Sequence, residues 1–119
     1  MTTGEATPLG QISISRRAIA TLASQTALSS YGVVGLAAHG VIDSWINRIA
    51  RDPRQGIEVT LEGDEIILDV FVILEYGTRI AAVSRSMADA VQYTVQRALG
   101  LPVREVNVHV QGLRVSNLD

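Results

Sequence analysis

Between Ile57 and Leu74 the chain alternates apolar and polar residues twice in succession, and no other stretch limits its fold as much. Ile57, Val59 and Leu61 interleave with Glu58, Thr60 and Glu62; after Gly63-Asp64 the period resumes at Ile66, Leu68, Val70, Val72 and Leu74. A period of two puts every second side chain on one face of an extended strand, and a Gly-Asp pair between two such runs supplies the turn of a β-hairpin. In the second run the opposite positions Ile67, Phe71 and Ile73 are apolar as well, so this strand calls for cover on both faces, from its own chain or from a partner. A two-stranded hairpin is marginal in water by itself, and the remaining chain must supply a layer against it.

The flanking segments supply that layer. Ile12 and Ile14 alternate with Gln11, Ser13 and Ser15, the pattern of a short half-buried strand. Ser15 is placed to cap a helix whose apolar stripe is Ile19, Leu22, Ala23, Thr26 and Ala27, with Gly32 at its end. Val33 to Ala38, bracketed by Gly32, Gly35 and Gly40, reads as a short strand or an ordered loop, with strand the favoured reading. Ile42, Trp45, Ile46 and Ile49 repeat at helical spacing, so Val41 to Ala50 reads as a short helix closed by Asp52-Pro53. After Tyr76-Gly77 a longer helix carries Ile80, Val83, Met87, Ala90, Val91, Thr94 and Ala98 along one stripe, with Gly100 as cap and Pro102 as stop. A last strand points Val106, Val108 and Val110 inward and Glu105, Asn107, His109 and Gln111 outward.

This order predicts a two-layer α+β domain: a mixed sheet of about four to five strands, two main helices on one face and a short extra helix. Residues 10–115 form that domain, with a flexible N-terminal tail over 1–9 and a C-terminal tail over 116–119. The chain length of 119 residues suits one domain, and 47% hydrophobic against 18% charged residues is a globular balance. With no cysteine it has no disulfides, thiolate metal sites or Cys nucleophile. The N-terminus lacks the basic start and apolar core of a signal peptide, and no apolar run approaches the roughly 20 residues of a spanning helix, so a soluble cytoplasmic protein is expected.

Candidate chemistry is sparse. His39 and His109 share no metal-ligand spacing, and Glu62, Asp64 and Glu65 read as a solvated turn. No nucleophile motif surrounds any serine, and the glycines form no phosphate loop. No cofactor or catalytic residue is expected. Gly32-Val33-Val34-Gly35 matches the bare G-x-x-G of KH domains, yet a phosphate clamp wants polar residues between its glycines and this one has valines.

The arginines are more informative, because all ten basic residues are Arg. Arg16 and Arg17 stand in the first turn of the first helix, at the positive end of its dipole, where cations are disfavoured. Arg48, Arg51 and Arg54 cluster beside Trp45, a grouping suited to protein interfaces. Trp45, Arg48, Arg51, Arg54, Arg16 and Arg17 are therefore the candidate partner surface. A net charge of −2 gives no general drive toward nucleic acid or anionic membrane.

GQISIS before an Ile/Ala-rich helix, YGVVGL, GIEVTLEGDEIILDVFVILEYGTRI, RALGLPV and the ending VNVHVQGL together resemble the alkaline shock protein family, also called envelope stress response proteins. VILEYGTRI and GLPVREVNVHVQGL are the most specific parts, and the similarity runs from Gly10 to Val115. Arg16-Arg17 stands where the family pattern suggests an acidic or neutral pair, and Val41 to Arg54 looks longer and more helical than the family's middle loop. The resemblance implies a non-enzymatic cytoplasmic protein tied to cell-envelope stress, with no assigned ligand residues. It also implies self-association, and retention at the inner membrane through a separate membrane-anchored protein rather than by direct insertion. Two other readings compete with such an interaction or scaffold role: nucleic-acid binding through the GVVG turn and the Arg clusters, which the acidic pI of about 5.6 disfavours, and service as an accessory subunit of a small-molecule kinase.

Overall fold

The computed structural model describes residues 2–7, 10–38 and 53–115, with side chains from Ile14 to Ala38 and from Arg54 to Val115. The hairpin forms as the alternation requires. Strands β4 (Ile57–Glu62) and β5 (Glu65–Glu75) pair antiparallel, Ile57 opposite Val70 and Glu62 opposite Glu65, around Gly63 at φ 62°. β5 is the centre of a four-stranded sheet. Along one side it carries β4 and then β3 (Val33–Leu36), both antiparallel; along the other it carries β6 (Val103–Arg114), which runs parallel to it. The sheet is mixed, as expected.

Two helices, α1 (Arg16–Leu28) and α2 (Ile80–Leu99), close one face. Ile19, Ala23 and Ala27 of α1 join Val83, Met87, Val91 and Val95 of α2 and the Ile66, Leu68, Val70, Val72 and Leu74 row of β5 in one apolar core. Each fully buried Val or Leu side chain in such a core contributes about 1.5–3 kcal/mol relative to exposure. The helix stripes are rotated slightly from the sequence reading. On α1, Ala20 and Ser24 are buried while Leu22 and Thr26 are only half-buried; on α2, Val95 takes the place of Thr94 and Ala98. Ser24 can be buried because its Oγ donates to the Thr21 carbonyl at 2.9 Å, and Thr21 and Thr26 bond back to their own helix in the same way.

Ser15 caps α1, its Oγ accepting from the Ala18 N–H at 3.1 Å. The helix ends at Ser29 rather than at Gly32, because Ser29 and Ser30 close the last turn with bonds to Gln25, Thr26 and Ala27 carbonyls. Gly32, at φ 85°, instead reverses the chain into β3, and its carbonyl accepts from the Glu75 N–H at 2.8 Å. Gly100, at φ 71°, does cap α2. Gln92 and Gln96 then fasten β6 to the helix, one donating to the Val103 carbonyl at 2.8 Å and the other accepting from its N–H at 2.9 Å.

The N-terminus departs from expectation. Thr2–Thr7, read as part of a flexible tail, forms strand β1, which pairs antiparallel with β2 (Gly10–Ser15) in a separate two-stranded sheet. The 11–15 strand therefore exists but does not join the main sheet. TTGEAT offers no apolar alternation to read, and only the local β preference of threonine favours extension there. The expected helix over Val41 to Ala50 lies outside the described residues.

Candidate partner-binding groove

An open groove of about 560 Å³ lies along the outer edge of β4. It is lined by Arg16, Arg17 and Ala20 from the start of α1, Arg54 and Gln55 from a 3-10 turn over Pro53–Gly56, and residues 57–60 of β4. Arg16 and Arg17 thus meet Arg54, which stands 37 positions beyond Arg17 in the sequence.

Gly56 is what brings them together. A Cβ built on it would lie 2.7 Å from Leu36 Cβ, 3.0 Å from the Ala37 carbonyl oxygen and 3.2 Å from the Phe71 carbonyl oxygen. Only a residue without a side chain lets the turn press against β3 and β5 this closely, and that approach seats Arg54 beside α1. Ser15, by capping α1, fixes where Arg16 and Arg17 leave the helix.

Among the described residues three guanidinium groups and one carboxylate, Glu58, make the lining cationic, and the amino end of α1 adds the positive pole of its dipole. Arg16, Arg54 and Glu58 each already make an interaction within the protein, so part of this charge is held in place before any partner arrives. Planar guanidinium donors suit bidentate contact with carboxylates or phosphates. Of the residues singled out in the sequence, Arg16, Arg17 and Arg54 converge here. Trp45, Arg48 and Arg51 lie outside the described residues. Glu58, Gln55 and Thr60 were missed as lining residues, since nothing in a period-two strand marks which outward side chains will border a neighbouring helix end.

The other candidates settle differently. GVVG is not a loop between helices: Val33, Val34 and Gly35 are strand residues, Gly35 is buried, and a Cβ on Gly32 would meet Val83 at 3.0 Å. His109, read as solvated, is half-buried instead, stacked on Phe71 with ring centroids 4.4 Å apart and its Nε2 2.9 Å from Asp69 Oδ1. His39 lies outside the described residues. At the hairpin, Glu62 accepts from Arg104 at 2.6 Å across an exposed surface. Among the described residues, no group of three His, Asp or Glu side chains is arranged to hold a metal ion, and no helix is long and apolar enough to cross a membrane. A second hollow of about 400 Å³, lined by Tyr31, Arg79, Val83 and Ser86 among others, lies at the start of α2.

Comparison with known proteins agrees with this architecture on length and extent. The chain is 40% identical over 113 residues to the uncharacterized protein YloU of Bacillus subtilis, a match covering 93% of this chain and 94% of the relative. It is 31% identical over 108 residues to the uncharacterized protein Spy1614 of Streptococcus pyogenes serotype M6, covering 89% of each. The uncharacterized protein YqhY of Bacillus subtilis matches at 28% over 115 residues, 92% of this chain and 82% of the relative. No solved structure matches the chain significantly. One family model spans residues 4–115, nearly the whole described fold, and by that match the chain belongs to the alkaline shock protein 23 family, whose function is cell envelope-related.

Proposed function

We propose that the protein is a non-enzymatic interaction module that acts at the cytoplasmic side of the cell envelope by gripping an acidic segment of a protein partner in the arginine groove. The observation that carries this reading is the convergence of Arg16, Arg17 and Arg54 on one open surface bordered, among the described residues, by a single carboxylate, Glu58. An acidic peptide fits such a lining by charge, and Arg is enriched among the residues that dominate interface energies. The partner's own membrane anchor would hold the protein at the envelope. Support for a protein rather than a nucleic-acid partner comes from the lining itself, which among the described residues has no aromatic ring on which a base can stack.

The test is recovery of partners from native extract with the tagged protein, comparing the wild type with the Arg17→Ala/Arg54→Ala double variant. Loss of about 2 kcal/mol at a hot spot corresponds to a roughly thirtyfold weaker complex, and the difference between wild type and variant is expected to shrink as salt is raised, because added ions screen the arginine contacts. Arg17 is exposed and Arg54 half-buried, and the melting temperature of the double variant is expected to stay within a few degrees of wild type. Undiminished recovery of every co-purifying protein refutes the groove as a partner site. A salt-sensitive mobility shift with RNA that disappears in the double variant overturns the choice of protein over nucleic acid.

A further inference from the structure

We propose, resting on that reading of the groove, that the acidic segment lies in it as an added β-strand, hydrogen-bonded along the outer edge of β4 and carrying a carboxylate at every second position. Four consecutive β4 residues, Ile57 to Thr60, border the groove, although Ile57 and Val59 belong to the core and are each only 8% exposed. Successive side chains of a strand point to opposite faces, so a hollow that meets all four runs along the strand's edge, where the main chain lies. Gly63 and Asp64 are the central residues of the hairpin turn, which makes Glu62 and Glu65 a hydrogen-bonded pair; Thr60 with Ile67 and Glu58 with Asp69 follow at every second position. The Ile66 N–H agrees with that parity, donating to the Pro102 carbonyl at 3.0 Å, on the β6 side. Ile57, Val59 and Leu61 therefore turn N–H and C=O away from β5, and among the described residues no strand pairs with them there.

Shortness and charge are the usual guards of an open edge, and β4 has both: six residues, with Glu58 and Glu62 exposed on its outward face. Neither guard removes a main-chain group. β4 contains no proline and pairs with β5 without a bulge, so its edge selects among strands by charge instead of refusing them all. α1 lies on the face to which Ile57 and Val59 point, so every second side chain of an added strand is turned toward Arg16 and Arg17, with Arg54 at the start of β4. The alternate side chains fall beside Glu58 and Thr60, where a further carboxylate is disfavoured. The complementary sequence is therefore acidic and neutral in strict alternation. A second copy of β4 does not fit: pairing two such edges antiparallel about a two-fold axis sets the arginines of both copies on one face, like charge against like. In strand addition of this kind the main-chain bonds supply affinity and the alternate side chains supply specificity.

The probe is a capped, fluorescently labelled peptide of six residues, the length of β4, alternating glutamate and threonine, with binding to the intact protein followed by anisotropy. A peptide of the same composition with its glutamates grouped at one end is expected to bind roughly tenfold more weakly. Methylating the main-chain nitrogens of the glutamates removes the donors along one edge of the peptide, and methylating those of the threonines removes the donors along the other. One set is expected to abolish binding and the other to leave it within about twofold: the glutamate set if the strand adds antiparallel, the threonine set if it adds parallel. A peptide that fails to bind the wild type, or binds Arg17→Ala/Arg54→Ala equally well, refutes the groove itself. Binding that needs the arginines but does not distinguish the two methylated sets leaves the groove reading in place and overturns the added strand. Equal affinity for the grouped peptide does the same.

Discussion

Gly56→Ala is the change that most sharply tests how the groove is built. No positive φ constrains Gly56, so an alanine there meets no backbone strain, and without a clash it would stabilise the fold by about 0.4–1 kcal/mol through the unfolded chain. The packing reverses that sign. The new methyl would stand 2.7 Å from Leu36 Cβ, where carbon atoms prefer roughly 3.5–4.0 Å, so something must move by nearly 1 Å. The other two neighbours are backbone oxygens, and the Phe71 carbonyl already accepts the Ala37 N–H at 2.8 Å. None of the three is the free end of a side chain.

Overpacking of a rigid site costs up to about 3 kcal/mol, and weakening one buried backbone hydrogen bond adds about 1 kcal/mol. The expected loss is therefore about 3–4 kcal/mol, a large share of the roughly 5–15 kcal/mol that holds a domain together. Urea denaturation is the direct measurement; in a thermal melt the shift should be roughly 12–16 °C downward at about 4 °C per kcal/mol. Gly63→Ala is the comparison, because its Cβ meets nothing within 4 Å and pays only for φ 62°, about 1 kcal/mol. A Gly56→Ala protein as stable as wild type, or more stable than Gly63→Ala, would show that the turn can retreat from β3 and that the close approach does not place Arg54.

Val91, wholly buried at the middle of α2, should not tolerate a charge: Val91→Asp is expected to lose several kcal/mol and to show no cooperative urea transition near the wild-type midpoint. Ser15→Ala removes the acceptor for the Ala18 N–H and should lower stability by about 1 kcal/mol, seen as a reduced urea midpoint with an unchanged slope.

What the sequence made legible was whatever a local rule decides. The hairpin follows from period two and Gly63, the start of α1 from Ser15, and the end of α2 from Gly100 and Pro102; each is fixed by residues within a few positions. The misses share a different cause. Ala20 and Ser24 replaced Leu22 and Thr26 on the buried face of α1 because the helix packs against α2 and β4, and a serine can hide its hydroxyl on its own backbone. β1 carries no hydrophobic period, so no pattern announces it. His109 reads as an outward strand residue, and it is one, but β5 sets Phe71 and Asp69 on the same face, which a single strand's sequence does not contain. The groove was half legible: the residue types were evident, while the meeting of Arg54 with Arg16 and Arg17 depends on a long-range approach that only Gly56 hints at.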